Sequence, residues 1–282
     1  MIKAILKGMV IGVANIVPGV SGGTMAVAMG IYDKLIHAAT HLFSEFKKSM
    51  KVLLPILLGA VIGIVVVARI IEYALDKVPI QTNLFFIGLI VGGLPIMTQK
   101  VKGKKIQVSH IIACVLFFVL VVGMAAMGET EGKSADMAFT VLNCLKLFVV
   151  GVVAAATMVI PGVSGSMMLM LMGYYNPVLK TINSFVSNLA KGNLSGLLQD
   201  CTVLIPFGIG VVVGIFAIAK IIEKIFEKFP MQAYWAIIGL IVASPFAIIL
   251  LNDFSGINVV SVLTGAVMLA VGVLISRKLG GE

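Results

Sequence analysis

Long runs of apolar residues that contain no Asp, Glu, Lys or Arg follow one another along most of the chain. These runs cover residues 8–32, 52–68, 78–99, 106–128, 147–179, 201–219, 229–252 and 254–276. Most have the length of about 20 residues that a helix needs to cross the hydrocarbon core of a bilayer. Because lipid offers no partner for an unpaired peptide group, such runs must be helical. The pattern therefore predicts an all-α integral membrane protein.

Composition supports this class. Of the 282 residues, 60% are hydrophobic and 12% are charged, whereas a soluble domain carries about 25% charged residues. The net charge of +9 is typical of Lys and Arg retained on the cytoplasmic side, so no nucleic-acid partner is predicted. The N-terminal run "MIKAILKGMVIGV" is interpreted as a retained segment and not as a cleaved signal peptide. The three cysteines are widely spaced and predict no disulfide.

The chain contains an internal repeat. The segment "VPGVSGGTMAVAMGIYDKL" from Val17 matches "IPGVSGSMMLMLMGYYNPV" from Ile160. A second pair, "ARIIEYALDKVPIQTNLFFIGLIV" from Ala68 and "AKIIEKIFEKFPMQAYWAIIGLIV" from Ala219, is identical at 12 of 24 positions. Self-similarity of this kind indicates two related halves, predicted here as residues 1–130 and 131–282.

Each half is predicted to hold a re-entrant helical hairpin, an interfacial amphipathic helix and three transmembrane helices. In the first half the amphipathic helix is "DKLIHAATHLFSEFKKSM", whose apolar residues form one helical stripe. The predicted hairpins cover about 5–31 and 145–174. The predicted spans cover about 52–71, 82–99 and 107–127 in the first half, and about 202–222, 233–251 and 257–276 in the second.

The distribution of Lys and Arg favours hairpins over crossings. If each broken segment returns to its own side and the N-terminus is cytoplasmic, 15 of the 21 basic residues lie inside and 6 lie outside. If each segment crosses, the division is 11 against 10, which loses the usual cytoplasmic excess. Three spans per half then give the halves opposite orientation, as in many secondary transporters. Both termini are predicted to be cytoplasmic.

The duplicated PGVSG segments carry the candidate chemistry. Pro18 and Pro161 end the incoming helix, and the glycines allow backbone conformations and close approaches that other residues do not. A helix that restarts after such a turn presents free N–H groups, which suit an anion. The predicted phosphate-binding residues are Gly19, Ser21, Gly22, Gly23, Thr24, Gly162, Ser164, Gly165 and Ser166. The alternative is that these glycines only let helices pack closely.

Two charged pairs recur near the spans. Arg69 with Glu72 is matched by Lys220 with Glu223, and in each pair a spacing of three places both residues on one helical face. We assign Arg69 and Lys220 to phosphate attraction and leave proton or ion coupling open as a role of Glu72 and Glu223. The alternative is that all four are helix-end residues whose charges reach the interface.

No metal or cofactor is predicted. His37, His41 and Glu45 lie at positions i, i+4 and i+8 on one helical face. We interpret this face as the wet side of the interfacial helix, and a metal-binding face is the alternative. The sequence contains no HExxH, GxSxG, Walker loop or paired-carboxylate signature, so an enzyme is not predicted.

The segments "ANIVPGVSGGTMAVAMGIYDKL" and "MVIPGVSGSMMLMLMGYY", with "FFIGLIVGGLP" and "IIGLIVASP", resemble the bacterial polyprenyl-phosphate transporter family over essentially the whole chain. The resemblance implies a flippase of the bacterial cytoplasmic membrane. Such a flippase returns undecaprenyl phosphate to the inner leaflet, so that this lipid carrier is recycled in cell-wall synthesis. The family is expected to favour an acid just before the first motif, where this chain has Asn15. Asn15 is included among the predicted phosphate-binding residues, although it departs from the pattern expected of the family.

Three other functions stay open from the residues alone. The same hairpins suit a small soluble anion, while a membrane lipid phosphatase and a scaffold for other cell-wall proteins are the remaining alternatives. A homodimer is also left open.

Overall fold

The computed structural model describes residues 1–15, 17, 19–127, 134–252, 254 and 257–280, with the backbone alone at Ala68 and Glu72. Within these residues the chain is built from α-helices, with one short π-helical segment at Gly63–Val67. The helices are α1 (Ile2–Ala14), α2 (Gly22–Ala28), α3 (Tyr32–Thr40), α4 (Phe46–Ile62), α5 (Ala68–Lys77), α6 (Pro79–Val101), α7 (Val108–Ala126), α8 (Val141–Val159), α9 (Gly165–Leu171), α10 (Tyr175–Lys191), α11 (Leu194–Lys228), α12 (Pro230–Leu251) and α13 (Val259–Gly280).

Seven helical stretches in the described part of the chain are long and apolar enough to cross a membrane. They are Phe46–Val67, Pro79–Val101, Val108–Ala126, Val141–Val159, Leu194–Lys228, Pro230–Leu251 and Val259–Gly280. This protein is therefore an all-α, multi-pass membrane protein. Six of the stretches overlap the six predicted spans. The seventh is α8, the first arm of the second predicted hairpin, whose 19 residues reach about 28 Å.

The longest helix differs between the halves. Helix α11 runs unbroken for 35 residues, or about 52 Å, so it is longer than a whole bilayer of about 40–45 Å is thick. The matching stretch of the first half is divided into α4, the π-helical segment Gly63–Val67 and α5. A π-helical turn shifts the register of the side chains that follow it. The two aligned stretches, although similar in sequence, therefore present different faces.

The predicted interfacial helix of the first half is shorter than expected. Helix α3 ends at Thr40, a turn follows, and α4 has begun by Phe46, so the prediction of one helix through Met50 is wrong. The Thr40 hydroxyl donates to the carbonyl oxygens of Ile36 at 3.1 Å and His37 at 3.0 Å. Back-bonding of this kind competes with the helical ladder. It accompanies the end of α3.

The described chain forms two compact units. Unit 1 comprises Met1–Gly128, Ile160–Val163 and Ala219–Glu282, and unit 2 comprises Glu129–Val159 and Ser164–Ile218. In unit 1, α6 packs against α13 and α7 against α12, so each pair takes one helix from each sequence half. In unit 2, Gly151 of α8 lies directly against the backbone of Phe207 in α11. The two units are defined by helix packing and do not coincide with the two sequence halves, which are defined by the internal repeat. The division into halves therefore stays a prediction.

Helix α2 is held in unit 1 by a close backbone approach. Gly93 of α6 lies against Ala28 at the end of α2, where an added Cβ would overlap the Ala28 backbone. Small residues permit such contacts between membrane helices. The whole of α2 is buried. The helix that follows the first break is therefore held by packing against α6 as well as by the turn before it.

Candidate anion site

The described parts of the two PGVSG segments share a break between helices and a glycine with positive φ. Helix α1 ends at Ala14 and α2 begins at Gly22, while α8 ends at Val159 and α9 begins at Gly165. Gly19 and Gly162 have φ angles of 77° and 79°, in the left-handed region that favours glycine. The predicted break of both helices is thus confirmed, although Pro18 lies outside the described residues. The return of each segment to its own side of the membrane stays a prediction.

The first serine of each motif caps the helix that follows. Ser21 Oγ accepts a hydrogen bond from the Thr24 amide at 3.2 Å, and Ser164 Oγ accepts one from the Met167 amide at 3.4 Å. Serine is among the preferred residues at this position because its oxygen satisfies one of the free N–H groups of the first turn. Both predicted phosphate donors therefore serve as helix caps in this conformation.

The tips of the two motifs contact each other within unit 1. The Gly162 amide donates to Thr24 Oγ1 at 2.7 Å and to Ser21 Oγ at 3.2 Å. The Ser21 and Thr24 hydroxyl oxygens are themselves 3.2 Å apart. We call this set of bonds between Ser21, Thr24 and Gly162 the turn-to-turn contact. It joins residues about 140 positions apart. The inverted repeat predicts that the two tips can meet near the centre of the membrane, but no local pattern in the sequence predicts which atoms pair.

One helix supports both tips. A Cβ on Gly19 would lie 3.0 Å from the Cα of Ile248, and one on Gly162 would lie 3.1 Å from the carbonyl oxygen of Leu240. Leu240 and Ile248 both belong to α12. A side chain at either glycine would therefore push its turn away from α12, and positive φ excludes most other residues as well.

Asn15, directly after α1, connects the two helices on either side of the first break. Its Oδ1 accepts from the Gly22 amide at 3.0 Å, and its Nδ2 donates to the Ile11 carbonyl at 3.2 Å. Asn15 is thus an acceptor for the first amide of α2 and is at the same time anchored to α1. An aspartate could provide only the first of these bonds, because a carboxylate has no hydrogen to donate.

The predicted residues differ in how accessible they are. Thr24 is completely buried and Ser21 is 5% exposed, and Gly22 and Gly23 are buried with them. Ser164, Gly165 and Ser166 are half-buried, and the two serine hydroxyl oxygens lie 3.0 Å apart. An anion that used the amide of Gly162 would have to displace the turn-to-turn contact.

The predicted charged residues lie on α5 and α11. Within the described part of the chain, exposed Arg69 on α5 and exposed Lys220 on α11 form no ion pair. Glu223 does not pair with Lys220 but lies 3.2 Å from His37 Nδ1 and 3.4 Å from His41 Nδ1. The Glu72 side chain lies outside the described part. The predicted roles of these four residues in phosphate attraction and coupling stay predictions.

An apolar groove of about 560 Å³ runs beside α1, which the sequence did not predict. It is bounded by α1, the π-helical segment with α5, α6 and α13, and Lys278 is its charged residue. Its lining residues are Leu6, Met9, Val10, Val13, Val67, Ile71, Phe85, Phe86, Leu89, Ile275, Lys278 and Leu279. Along α1 the groove extends for about 10 Å, from Leu6 to Val13. Val13 precedes Asn15 by two residues. It therefore approaches the first break.

Comparison with known proteins decides the family. Residues 11–262 match the undecaprenyl phosphate translocase-like family. The chain belongs to this family. The chain is also 31% identical, over 98% of its own length and 95% of the relative's, to a protein from Staphylococcus aureus named polyprenyl-phosphate transporter. A second protein of that name, from Vibrio cholerae serotype O1, is 29% identical over 79% of this chain and 70% of its own length. No solved structure matches the chain.

Proposed function

We propose that this protein is a flippase for a polyprenyl phosphate, with undecaprenyl phosphate as its substrate. It takes the lipid from the outer to the inner leaflet of the bacterial cytoplasmic membrane and so recycles the carrier of cell-wall synthesis. Alternating access exposes the phosphate site first to one side and then to the other. The naming of both relatives as polyprenyl-phosphate transporters supports the substrate class.

The observation that carries the mechanism is the turn-to-turn contact. The Gly162 amide donates to the Thr24 and Ser21 hydroxyls, and all three are groups that can donate to a phosphate. A phosphate oxygen arriving at this point can accept from the amide, and the hydroxyls can then turn their own hydrogens towards it. Ionic hydrogen bonds are stronger than neutral ones. The turn-to-turn contact is thus the closed state that the phosphate replaces.

Such a replacement is what a headgroup needs in the middle of a bilayer. Moving an ionised group out of water without partners costs tens of kcal/mol before relaxation. The buried hydroxyls of Ser21 and Thr24 provide two donors beside the Gly162 amide. Non-helical backbone at this depth is tolerated only in protein or at a cavity.

The apolar groove suits the prenyl chain. Its lining is hydrocarbon from Leu6 to Val13 of α1 and from Phe85 to Leu89 of α6, and burial of apolar surface contributes about 25 cal/mol per Å². We propose that the first isoprene units lie in this groove while the phosphate occupies the nearby break. A small soluble anion has no use for such a groove.

The proposal is tested with purified protein in vesicles that contain radiolabelled undecaprenyl phosphate in both leaflets. A phosphatase added outside hydrolyses only the outer half in protein-free vesicles, and we expect nearly all of the lipid to be hydrolysed when active protein is present. If only half of the lipid is hydrolysed in vesicles that contain folded protein, the proposal that this protein is a flippase is refuted. Vesicles loaded with inorganic phosphate or sulfate, assayed in parallel, would reveal transport of a soluble anion.

The hydroxyls are tested by Ser21→Val combined with Ser164→Val. Hydrogen bonds to a charged group contribute about 1.5–3 kcal/mol, so we expect leaflet exchange to slow about tenfold or more. The control is Thr98→Val with Ser184→Ala, which removes two exposed hydroxyls outside the motifs. Normal exchange by the motif variant would remove the hydroxyls from the mechanism.

A further inference from the structure

Two histidines and a carboxylate that take no part in the turn-to-turn contact converge in unit 1. His37 lies in α3, His41 directly follows that helix, and Glu223 lies near the end of α11. Glu223 Oε1 is 3.2 Å from His37 Nδ1 and 3.4 Å from His41 Nδ1, and the two imidazole ring centroids are 4.2 Å apart. One donor atom from each residue lies within 4.8 Å of the other two.

These separations are those of ligands around one small metal ion. In a tetrahedral zinc site, metal–nitrogen and metal–oxygen bonds of about 2.0–2.2 Å place adjacent ligand atoms about 3.3–3.6 Å apart. The two histidine-to-Glu223 distances of 3.2 and 3.4 Å are close to that range before any movement. Histidines four residues apart lie on one helical face, which is the spacing that zinc-binding helices use.

We propose that His37, His41 and Glu223 bind one divalent transition-metal ion, for which Zn²⁺ is the natural occupant. Two imidazoles and one carboxylate are a known zinc ligand set, and a fourth position is left for water or another side chain. Imidazole donors favour Zn²⁺ over Mg²⁺ and Ca²⁺, which prefer oxygen ligands.

Metal binding would join two distant parts of the chain. His37 lies in α3, which follows the first break, and Glu223 lies in α11, 186 residues after His37. The ion would replace the contact of His41 Nδ1 with the Thr40 hydroxyl, now 3.0 Å away, and would hold α3 against α11. Because the ion binds the folded chain, it should also raise the free energy of unfolding, with the logarithm of its concentration once that exceeds the dissociation constant.

The test is titration calorimetry of the full chain, without a histidine tag and in detergent, with ZnCl₂. We expect one Zn²⁺ per chain with a dissociation constant in the micromolar range or below, and no heat from MgCl₂ or CaCl₂. His37→Gln, His41→Gln and Glu223→Gln should each weaken binding at least tenfold. Since the His37 side chain is largely exposed and those of His41 and Glu223 are partly exposed, these variants should fold, which their melting temperatures in EDTA will verify.

His110→Gln is the matched control because His110 is the remaining histidine of the chain and lies in the first turn of α7. Zinc binding should be unchanged in this variant. Absence of stoichiometric binding, or equal binding by wild type and all three ligand variants, would overturn the proposal. The measurement uses no lipid substrate, so its result does not depend on whether the protein is a flippase.

Discussion

Replacement of Thr24 by valine tests the turn-to-turn contact most directly. Valine has nearly the shape of threonine and lacks the hydroxyl, so the change removes the 2.7 Å bond from the Gly162 amide without opening a cavity. It also removes the contact between the Ser21 and Thr24 hydroxyls. Thr24 is completely buried, and water cannot readily take the place of its hydroxyl.

The loss of stability in each variant depends on which acceptors remain for the Gly162 amide. In Thr24→Val the amide still has Ser21 Oγ at 3.2 Å, so we expect a loss of only about 1 kcal/mol in the free energy of unfolding. In Ser21→Ala the amide keeps Thr24, although the cap of α2 is lost, with a similar cost of about 1 kcal/mol. In the double variant the amide has neither acceptor. A buried unpaired donor costs a further ~1–3 kcal/mol, so the two changes should be non-additive by about that amount.

The assay is denaturant unfolding in detergent for the wild type, both single variants and the double variant, together with hydrogen exchange at Gly162. Thr24→Ser is the control, because it keeps the hydroxyl and loses only a methyl group. We expect exchange at Gly162 to rise in Thr24→Val and far more in the double variant. Additive free energies together with unchanged exchange at Gly162 would show that the two motifs do not hold each other as described.

Three other changes probe the surrounding structure. Asn15→Ala should destabilise the protein by about 1 kcal/mol, because the Gly22 amide loses its acceptor. Asn15→Asp keeps an oxygen acceptor and should be destabilised less. Equal melting temperatures for the wild type and both variants would contradict this role of Asn15. Gly93→Leu should cost at least ~1–3 kcal/mol by overpacking α2 against α6, whereas Gly123→Ala, which has open space around it, should be near neutral in the same unfolding measurement. Arg69→Ala should slow leaflet exchange in vesicles more than Lys77→Ala on the same helix does, and indistinguishable rates would favour a purely interfacial role for Arg69.

The sequence by itself determined the features that depend on neighbouring residues. Charge-free runs of membrane-spanning length became helices because lipid leaves peptide groups no other partner. The duplicated PGVSG motif predicted two helix breaks, and Gly19 and Gly162 adopt nearly the same positive φ angle because glycine alone takes that conformation at little cost. The family could be recognised from the same motifs.

Tertiary structure alone decided which distant groups meet. The bond from Gly162 to Thr24 spans 138 residues and the contact of Glu223 with His37 spans 186, and both depend on how whole helices pack. The sequence placed Glu223 on the same helical face as Lys220, three residues away, because local spacing was the available guide. It likewise predicted similar spans in both halves, yet one stretch is a 35-residue helix and the other contains a π-helical turn. Helix packing is set by the summed contacts of many side chains along each interface, which no short motif encodes.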